Sequence, residues 1–455
     1  MGDVPAAVTG ISIDSRTLQP GEAFFAIAGD RFDGHDFASQ AMRAGAGVLV
    51  IAEEKAIALG HLQVARIVVP DVLRAMEAVG RAARARAQGR IVAVTGSVGK
   101  TTTKEMLRVA LAPSGAVHAA DKSFNNHWGV PLTLGRLHPD ARYGVFEVGM
   151  NHQGEIRALV AMVRPHVAAI TRIAPAHLGQ FESVEGIARA KAEIVEGVEP
   201  GGIVVLNADD EYFPLLSSIA SDQSVAVRTF GAAGGADVRL VTPPEAEGGQ
   251  AGITVDGTAH ALALAVPGRH NLMNALCALA VAAAAGVDAS SAIAGLGSMR
   301  PVAGRGTRES VAFDDGSLSL IDESYNANPV SMAAALEMLA SAPAGGRRVA
   351  VLGDMLELGG HARAMHAGLE EAVRASGASL VLLVGDEMTA LAERIEGTVE
   401  LYHRPTAEAI VPVAARVLRP GDTVMVKASN GTGLGRLVSA MRDGSLVVSG
   451  AATDA

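Results

Sequence analysis

The chain reads as an α/β protein of three domains, and three observations predict it. Its 455 residues exceed what one hydrophobic core normally holds, so several domains are expected. From Ile91 onward, apolar runs of strand length alternate with helical stretches, the pattern of βαβ units and a mostly parallel sheet. The same alternation resumes after the Pro/Gly-rich segment Arg300–Gly306, which predicts a second doubly wound unit. The expected divisions are residues 1–85, 86–300 and 301–455.

In the first division, Val48–Ala52 and Arg66–Pro70 have the composition of short strands, and His35–Ala44 reads as helical. The division closes on Arg81-Ala-Ala-Arg-Ala-Arg-Ala-Gln-Gly-Arg90, a charged run that reads as a solvated helix end before a boundary. In the second, Ile91–Val94, Gly144–Val148, Val167–Ile173 and Ile203–Leu206 are the expected strands. Residues Asp237–Val266 alternate in polarity without a helical period, which predicts a small antiparallel addition. Asn271–Gly286 reads as a helix stopped by glycine. In the third, Leu318–Asp322, Arg348–Leu352, Leu380–Val384 and Thr423–Val426 read as strands, with helices beginning near Pro329, His361, Asp386 and Thr406.

Composition excludes several function classes. A net charge of -10 argues against the broad basic surface that replaces counterions, while leaving room for local basic pockets, and 3% aromatics argue against a stacking platform, so nucleic acid is not an expected partner. The single cysteine, Cys277, excludes an intrachain disulfide and a cysteine-cluster zinc site and fits a reducing compartment. The first residues lack a basic segment followed by an apolar core, and the Ala-rich run Ala275–Val287 is too short to span a bilayer. The expectation is a cytoplasmic chain without membrane insertion.

The sharpest motif is Thr95-Gly96-Ser97-Val98-Gly99-Lys100-Thr101-Thr102, between the apolar run Ile91–Val94 and a helical stretch. Glycines let backbone N–H groups approach phosphate oxygens, and a helix N-terminus adds partial positive charge. Lys100 would reach the outer phosphates and Thr101 would offer a hydroxyl to Mg²⁺. The spacing departs from the common form, because Val94 stands where its first glycine belongs. Glu147 and His177 follow successive expected strands, where ligands gather in open α/β sheets, and are candidate Mg²⁺ ligands. Lys191 reads by itself as an exposed helix lysine. Asn271 either caps its helix or, through an amide that donates and accepts, meets an adenine edge. In Leu320-Ile-Asp322-Glu-Ser-Tyr325-Asn326-Ala-Asn328-Pro329, turn chemistry accounts for Asn328-Pro329 but not for Asp322, Tyr325 and Asn326 together, so the cluster is a binding candidate.

Thr95–Thr102, Ser123-Phe-Asn125-Asn126 with Gly129-Val-Pro-Leu-Thr133, Glu147-Val-Gly-Met-Asn151-His-Gln-Gly-Glu155, Ala176-His177-Leu178, Ala190-Lys191-Ala-Glu-Ile194, His270-Asn271, Arg305, Leu320–Pro329 and Val351-Leu-Gly-Asp354-Met-Leu-Glu357-Leu-Gly359 together resemble the Mur ligases, ATP-dependent amide-forming enzymes of peptidoglycan synthesis. The resemblance covers nearly the whole chain. It implies a small α/β N-terminal UDP-binding domain, a central P-loop ATPase domain with a mostly parallel sheet, and a C-terminal Rossmann-like domain closing on the nucleotide. Within the family, the opening Asp14-Ser15-Arg16, Phe24–Gly29 and Asp33-Gly34-His35-Asp36-Phe37, with Asn151–Glu155 and Ser324–Pro329, point to the branch that adds a dipeptide. The implied partners are UDP-N-acetylmuramoyl-tripeptide and D-alanyl-D-alanine, taken by a monomeric enzyme.

The resemblance assigns roles. Gly96, Ser97, Val98, Gly99, Lys100, Thr101 and Thr102 would hold ATP, with Asn271 on the adenine and Arg305 and Asp322 reaching across the domain interface. Ser15 and Arg16 would contact UDP, and Asn125 and Asn126 would lie near the muramoyl-peptide. Tyr325, Asn326 and Asn328 complete the substrate side. Thr101, Glu147 and His177 would hold Mg²⁺. Lys191 would be carbamylated by CO₂ to orient a second Mg²⁺, which reverses the bland reading of that lysine; Lys100, Lys191, His177 and Glu147 would be the catalytic set. One departure is Val426-Lys427-Ala428-Ser429-Asn430, where the family commonly has Lys-Gly-Ser-Arg, so no role passes to Asn430. An amide ligase with another amine substrate, and a non-enzymatic nucleotide switch, are the alternatives.

Overall fold

The computed structural model describes residues 4–29, 32–176, 178–245, 249–266, 268–302, 304–343 and 345–446. Among these residues the strands form three sheets. The N-terminal sheet runs in chain order, Ile11–Ser12, Ala23–Phe25, Val48–Ala52 and Ala65–Val69, all parallel. The helix expected over 35–44 is a tight 3₁₀ turn, Gly34–Phe37, that runs into the α-helix Ala38–Arg43. Asp33 makes this turn. Its carboxylate accepts from the His35 amide and pairs with the ring, while His35 Nε2 accepts the Ala52 amide at 3.0 Å. Gly34 is obligatory there, because a Cβ would lie 2.6 Å from the Ile27 carbonyl oxygen.

The central sheet orders its strands Thr258–Ala263, Gln250–Val255, Val238–Thr242, Ala226–Gly231, Ile203–Asn207, Val167–Ile170, Arg90–Thr95, Tyr143–Glu147 and Val117–Ala119. Val238–Thr242, Gln250–Val255 and Thr258–Ala263 are joined by antiparallel pairings, which is the antiparallel addition expected over Asp237–Val266. Val238–Thr242 pairs parallel to Ala226–Gly231, entering beside its end at Phe230↔Val238. Carboxylates shape the intervening loop. Asp209 accepts the amides of Ala232 and Ala233, and Asp237 accepts the Thr229 amide and hydroxyl. One face of the sheet is covered by helices Lys100–Leu111 and Arg269–Ala284, the other by Glu155–Val163 and Val184–Ala192. Covering both faces is why these strands are apolar throughout rather than alternating.

The C-terminal sheet orders Thr307–Phe313, Gly316–Glu323, Thr423–Lys427, Arg348–Gly353, Leu380–Val384 and Glu400–Arg404. The first and last of these were not legible as strands. They lie at the edges, where half-exposed positions carry charge (Arg308, Glu309, Glu400, Arg404) and break the apolar run.

The charged run before residue 90 is a solvated helix end along most of its length, as expected, but not at Ala83 and Arg84. Helix Val72–Arg86 buries Arg84, whose guanidinium donates to the carbonyls of Val163 (2.7 Å) and Arg164 (2.6 Å) of the central division. Gly80 on the same helix meets Pro131 and Leu134, and Leu132 joins the N-terminal core. Arginine supplies the planar donor fork that two adjacent carbonyls need. Arg84→Met keeps the stem and strands both carbonyls, so it is expected to cost about 2 kcal/mol of stability in denaturant unfolding; an unchanged midpoint would refute this role.

Candidate active site

The site begins where strand Arg90–Thr95 hands the chain to helix Lys100–Leu111. Gly96 (φ 150°) and Gly99 (φ 85°) take backbone conformations that glycine favours. Gly99 caps the helix without a side chain, so the first-turn N–H groups are left for an anion. Ser97 anchors the loop to the neighbouring strand end: its hydroxyl donates to the Ala174 carbonyl at 2.9 Å and accepts the Ala174 amide at 3.0 Å. Thr171 holds the loop from the other side by donating to the Val98 carbonyl. A Cβ on Gly96 would lie 2.0 Å from Thr171 Oγ1. Gly96→Ala is therefore expected to weaken nucleotide binding on the order of a hundredfold, about 3 kcal/mol, readable by titration calorimetry.

Lys100 Nζ donates to the Gly96 carbonyl at 2.6 Å, curling over the loop. Burial pushes its ammonium pKa down, Glu147 opposes that, and Arg305 from the C-terminal division adds to the lowering. Thr101 Oγ1 donates to Glu147 Oε2 at 2.8 Å and shares a hydrogen bond with Ser123 Oγ at 3.0 Å. Asn125 Nδ2 donates to Glu147 Oε1 at 2.8 Å. Thr101, Glu147 and Asn125 therefore meet, although 46 positions separate the first two in the chain. A hydroxyl and a buried carboxylate side by side are oxygen donors of the kind a hard divalent cation takes. His177 lies outside the described residues.

Lys191 is not an exposed helix lysine. It is 1% exposed, in the last turn of Val184–Ala192, and its side chain makes no hydrogen bond or ion pair with any described residue. Burial drives its pKa well below the usual lysine value, and the nearby Lys100 charge adds to the effect. The next carboxylate, Glu193, is occupied: it accepts the amides of Gly154 (2.8 Å) and Arg157 (3.1 Å) at the start of helix Glu155–Val163.

The C-terminal division closes over this loop. Asn271 is 3% exposed, and its Nδ2 and Glu323 Oε1 both lie near the Gly306 α-carbon. The Arg305 guanidinium sits 4.3 Å from the centre of the Tyr325 ring, a cation–π contact on a half-exposed aromatic face. Glu357, at φ 67°, acts electrostatically on Lys100, and its carbonyl accepts the Gly179 amide at 3.0 Å. Gly179 and Gly359 meet backbone to backbone beside that bond.

Asp322 is engaged within its own division. Its carboxylate accepts Ser324 N and Oγ and pairs with Arg442 at 2.8 Å. The adjacent Glu323, which the motif reading passed over, is the one beside Asn271, Gly306 and Lys427, with Lys427 Nζ at 3.2 Å. Strand alternation would have shown that 322 and 323 face opposite ways, but not which way the site lies. Lys427 also donates to the Asn326 carbonyl. Asn328 caps helix Pro329–Ser341 in a capping box with Ser331. Asn328→Ala is expected to cost about 1 kcal/mol of stability, checked by thermal unfolding. Asn126 Oδ1 accepts the amides of Trp128 (3.3 Å) and Gly129 (2.9 Å) in the turn before helix Gly129–Gly135. Ser15 is buried, and Arg16 points into solvent, held by Asp14 at 2.7 Å.

Fold and site define a nucleotide-binding α/β protein in which a glycine-rich phosphate loop is faced by a second doubly wound sheet. The chain belongs to the Mur ligase family. Family models match residues 7–88 (Mur ligase family, catalytic domain), 94–282 (Mur ligase middle domain) and 309–430 (Mur ligase, glutamate ligase domain). It is 35% identical to the UDP-N-acetylmuramoyl-tripeptide–D-alanyl-D-alanine ligase of Escherichia coli (strain K12), covering 95% of this chain and 93% of the relative. Identity to the same-named ligase of Bacillus subtilis (strain 168) is 32%, covering 95% and 92%. A crystal structure of MurF from Acinetobacter baumannii superposes with a TM-score of 0.83 at 30% identity, covering 97% of this chain and 95% of that one. MurF ligase from Thermotoga maritima in complex with ADP gives 0.78 at 27% identity, covering 96% and 97%.

Proposed function

We propose that the chain joins D-alanyl-D-alanine to the terminal carboxylate of UDP-N-acetylmuramoyl-tripeptide, with ATP cleaved to ADP and phosphate, in peptidoglycan synthesis. The observation that carries this reading is the loop with its Thr101–Glu147–Asn125 contacts near the buried Lys191, whose side chain has no partner among the described residues, in a chain whose full-length relatives bear that activity's name. A carboxylate is a poor acyl donor because oxide would have to leave. Transfer of the ATP γ-phosphoryl group to it gives an acyl phosphate, and the dipeptide amine then displaces phosphate.

Two anions must meet in the first step, so positive charge at the loop is the main demand on the protein. Lys100 and the free first-turn amides of helix Lys100–Leu111 supply it from this chain. Mg²⁺, when bound, neutralises phosphate oxygens. The oxygen donors of Thr101 and Glu147 fit one ion, with His177 assigned by the resemblance. Lys191 fits carbamylation: burial favours its neutral amine, which can add to CO₂ with loss of a proton, and the resulting anion would meet a second Mg²⁺ where the bare side chain has no partner among the described residues.

The divisions 1–85, 86–300 and 301–455 would then hold UDP-sugar, ATP and the closing ligase face. Ser15 and Arg16 serve the uridine diphosphate, Asn125 and Asn126 the muramoyl-peptide, Asn271 the adenine, and Arg305 with Tyr325 and Asn326 the interface. Asp322 and Asn328 support that interface through Arg442 and the helix cap. Among the described residues no helix is long and apolar enough to cross a membrane; the enzyme is proposed to act in the cytoplasm as a monomer. The test is ADP release with ATP, UDP-muramoyl-tripeptide and D-alanyl-D-alanine. Release must need both co-substrates, and a better result with another amine would move the enzyme to a different branch.

A further inference from the structure

We propose that Lys104 is a positioning residue that couples the phosphate loop to the segment presenting Asn125 and Asn126, and so sets affinity for the UDP-muramoyl substrate; this rests on the functional reading above. Lys104 is completely buried. Its ammonium donates to the Ala120 carbonyl and to the Lys122 carbonyl at 3.3 Å, and it pairs with Glu105 at 2.8 Å. A buried ammonium is expensive unless its donors are satisfied, and here two of the acceptors are backbone carbonyls of one short stretch.

The placement of that stretch gives the lysine its function. Residues 120–125 have no helix or strand of their own. They are held instead by point contacts. Lys104 takes the carbonyls of Ala120 and Lys122, Ser123 meets Thr101, and Asn125 meets Glu147 and accepts the Gly149 amide at 2.8 Å. Lys104 stands three and four positions after Thr101 and Lys100, on the same helix face. One helix therefore aims two groups at phosphate and metal and, one turn on, pins the start of the segment that faces the sugar-peptide side. Lys122 also lies close enough to Asp14 for its charge to act on that carboxylate, which puts the segment opposite the Asp14–Arg16 turn.

The test uses the full-length enzyme and Lys104→Met, which keeps the stem and removes the donors. The Michaelis constant for UDP-muramoyl-tripeptide should rise on the order of tenfold or more, while that for ATP changes far less. The chain has one tryptophan, Trp128, two residues beyond Asn126, so its quenching by acrylamide should increase in Lys104→Met without substrate. Lys104→Gln, which retains a donor on a shorter stem, should show the same split in smaller measure and stands in if the methionine variant does not fold. Unchanged affinity for the UDP substrate in a folded variant would overturn the proposal. So would equal loss for both substrates together with unchanged Trp128 quenching. A wild-type enzyme unable to ligate these substrates would instead reject the functional reading.

Discussion

Lys100→Ala is expected to lower turnover by at least about three orders of magnitude, roughly 4 kcal/mol of transition-state stabilisation. The lysine curls half-buried over the loop, hydrogen-bonded to the Gly96 carbonyl, where its charge faces the phosphate site. Its neighbours sharpen the effect. Burial works against the ammonium, Glu147 favours it and Arg305 adds to the lowering, so the group gains from an arriving phosphate. ATP binding should suffer much less than turnover, because the loop amides remain. Single-turnover measurement of acyl-phosphate formation separates the two, and near-normal ligation by the variant would remove Lys100 from the mechanism.

The second large effect belongs to Lys191. Lys191→Ala should be inactive, and a short-chain carboxylic acid added at high concentration should restore part of the activity by occupying the vacated volume with an anion. Lys191 is 1% exposed, so the alanine variant leaves room for such a molecule. Lys191→Arg should not be rescued, since its guanidinium fills the space and cannot be carbamylated. Rescue of Lys191→Ala by a neutral amide as effectively as by the acid would show that volume rather than charge was missing.

These two lysines also show how far the sequence can be read. Lys100 was legible because a phosphate loop is local: glycines, lysine and threonine lie within eight residues and bring their geometry with them. The strands that position it were legible because both faces of their sheet are covered, which writes burial as uninterrupted apolar runs. Lys191 was not legible from its own helix, because burial of a lysine depends on what the rest of the fold packs against it. The resemblance reached it where periodicity did not. Arg84 was misjudged for the same reason: its partners are carbonyls 79 and 80 positions away, which no local pattern records. Asp322 and Glu323 differ by one step of a strand, and only the tertiary fold decides which of the two looks at the nucleotide side.

The backbone-to-backbone meeting of Gly179 and Gly359 bears on how the enzyme cycles. An ordinary interface orders side chains each time it forms, at about 0.5–1.5 kcal/mol for every flexible one immobilised. Two glycines have no rotamers to freeze. At this joint the C-terminal division meets the central one backbone to backbone, beside one amide hydrogen bond from Gly179 to the Glu357 carbonyl. Contact there freezes no side chain at either glycine, which suits a surface that must release ADP and a bulky product at every turnover.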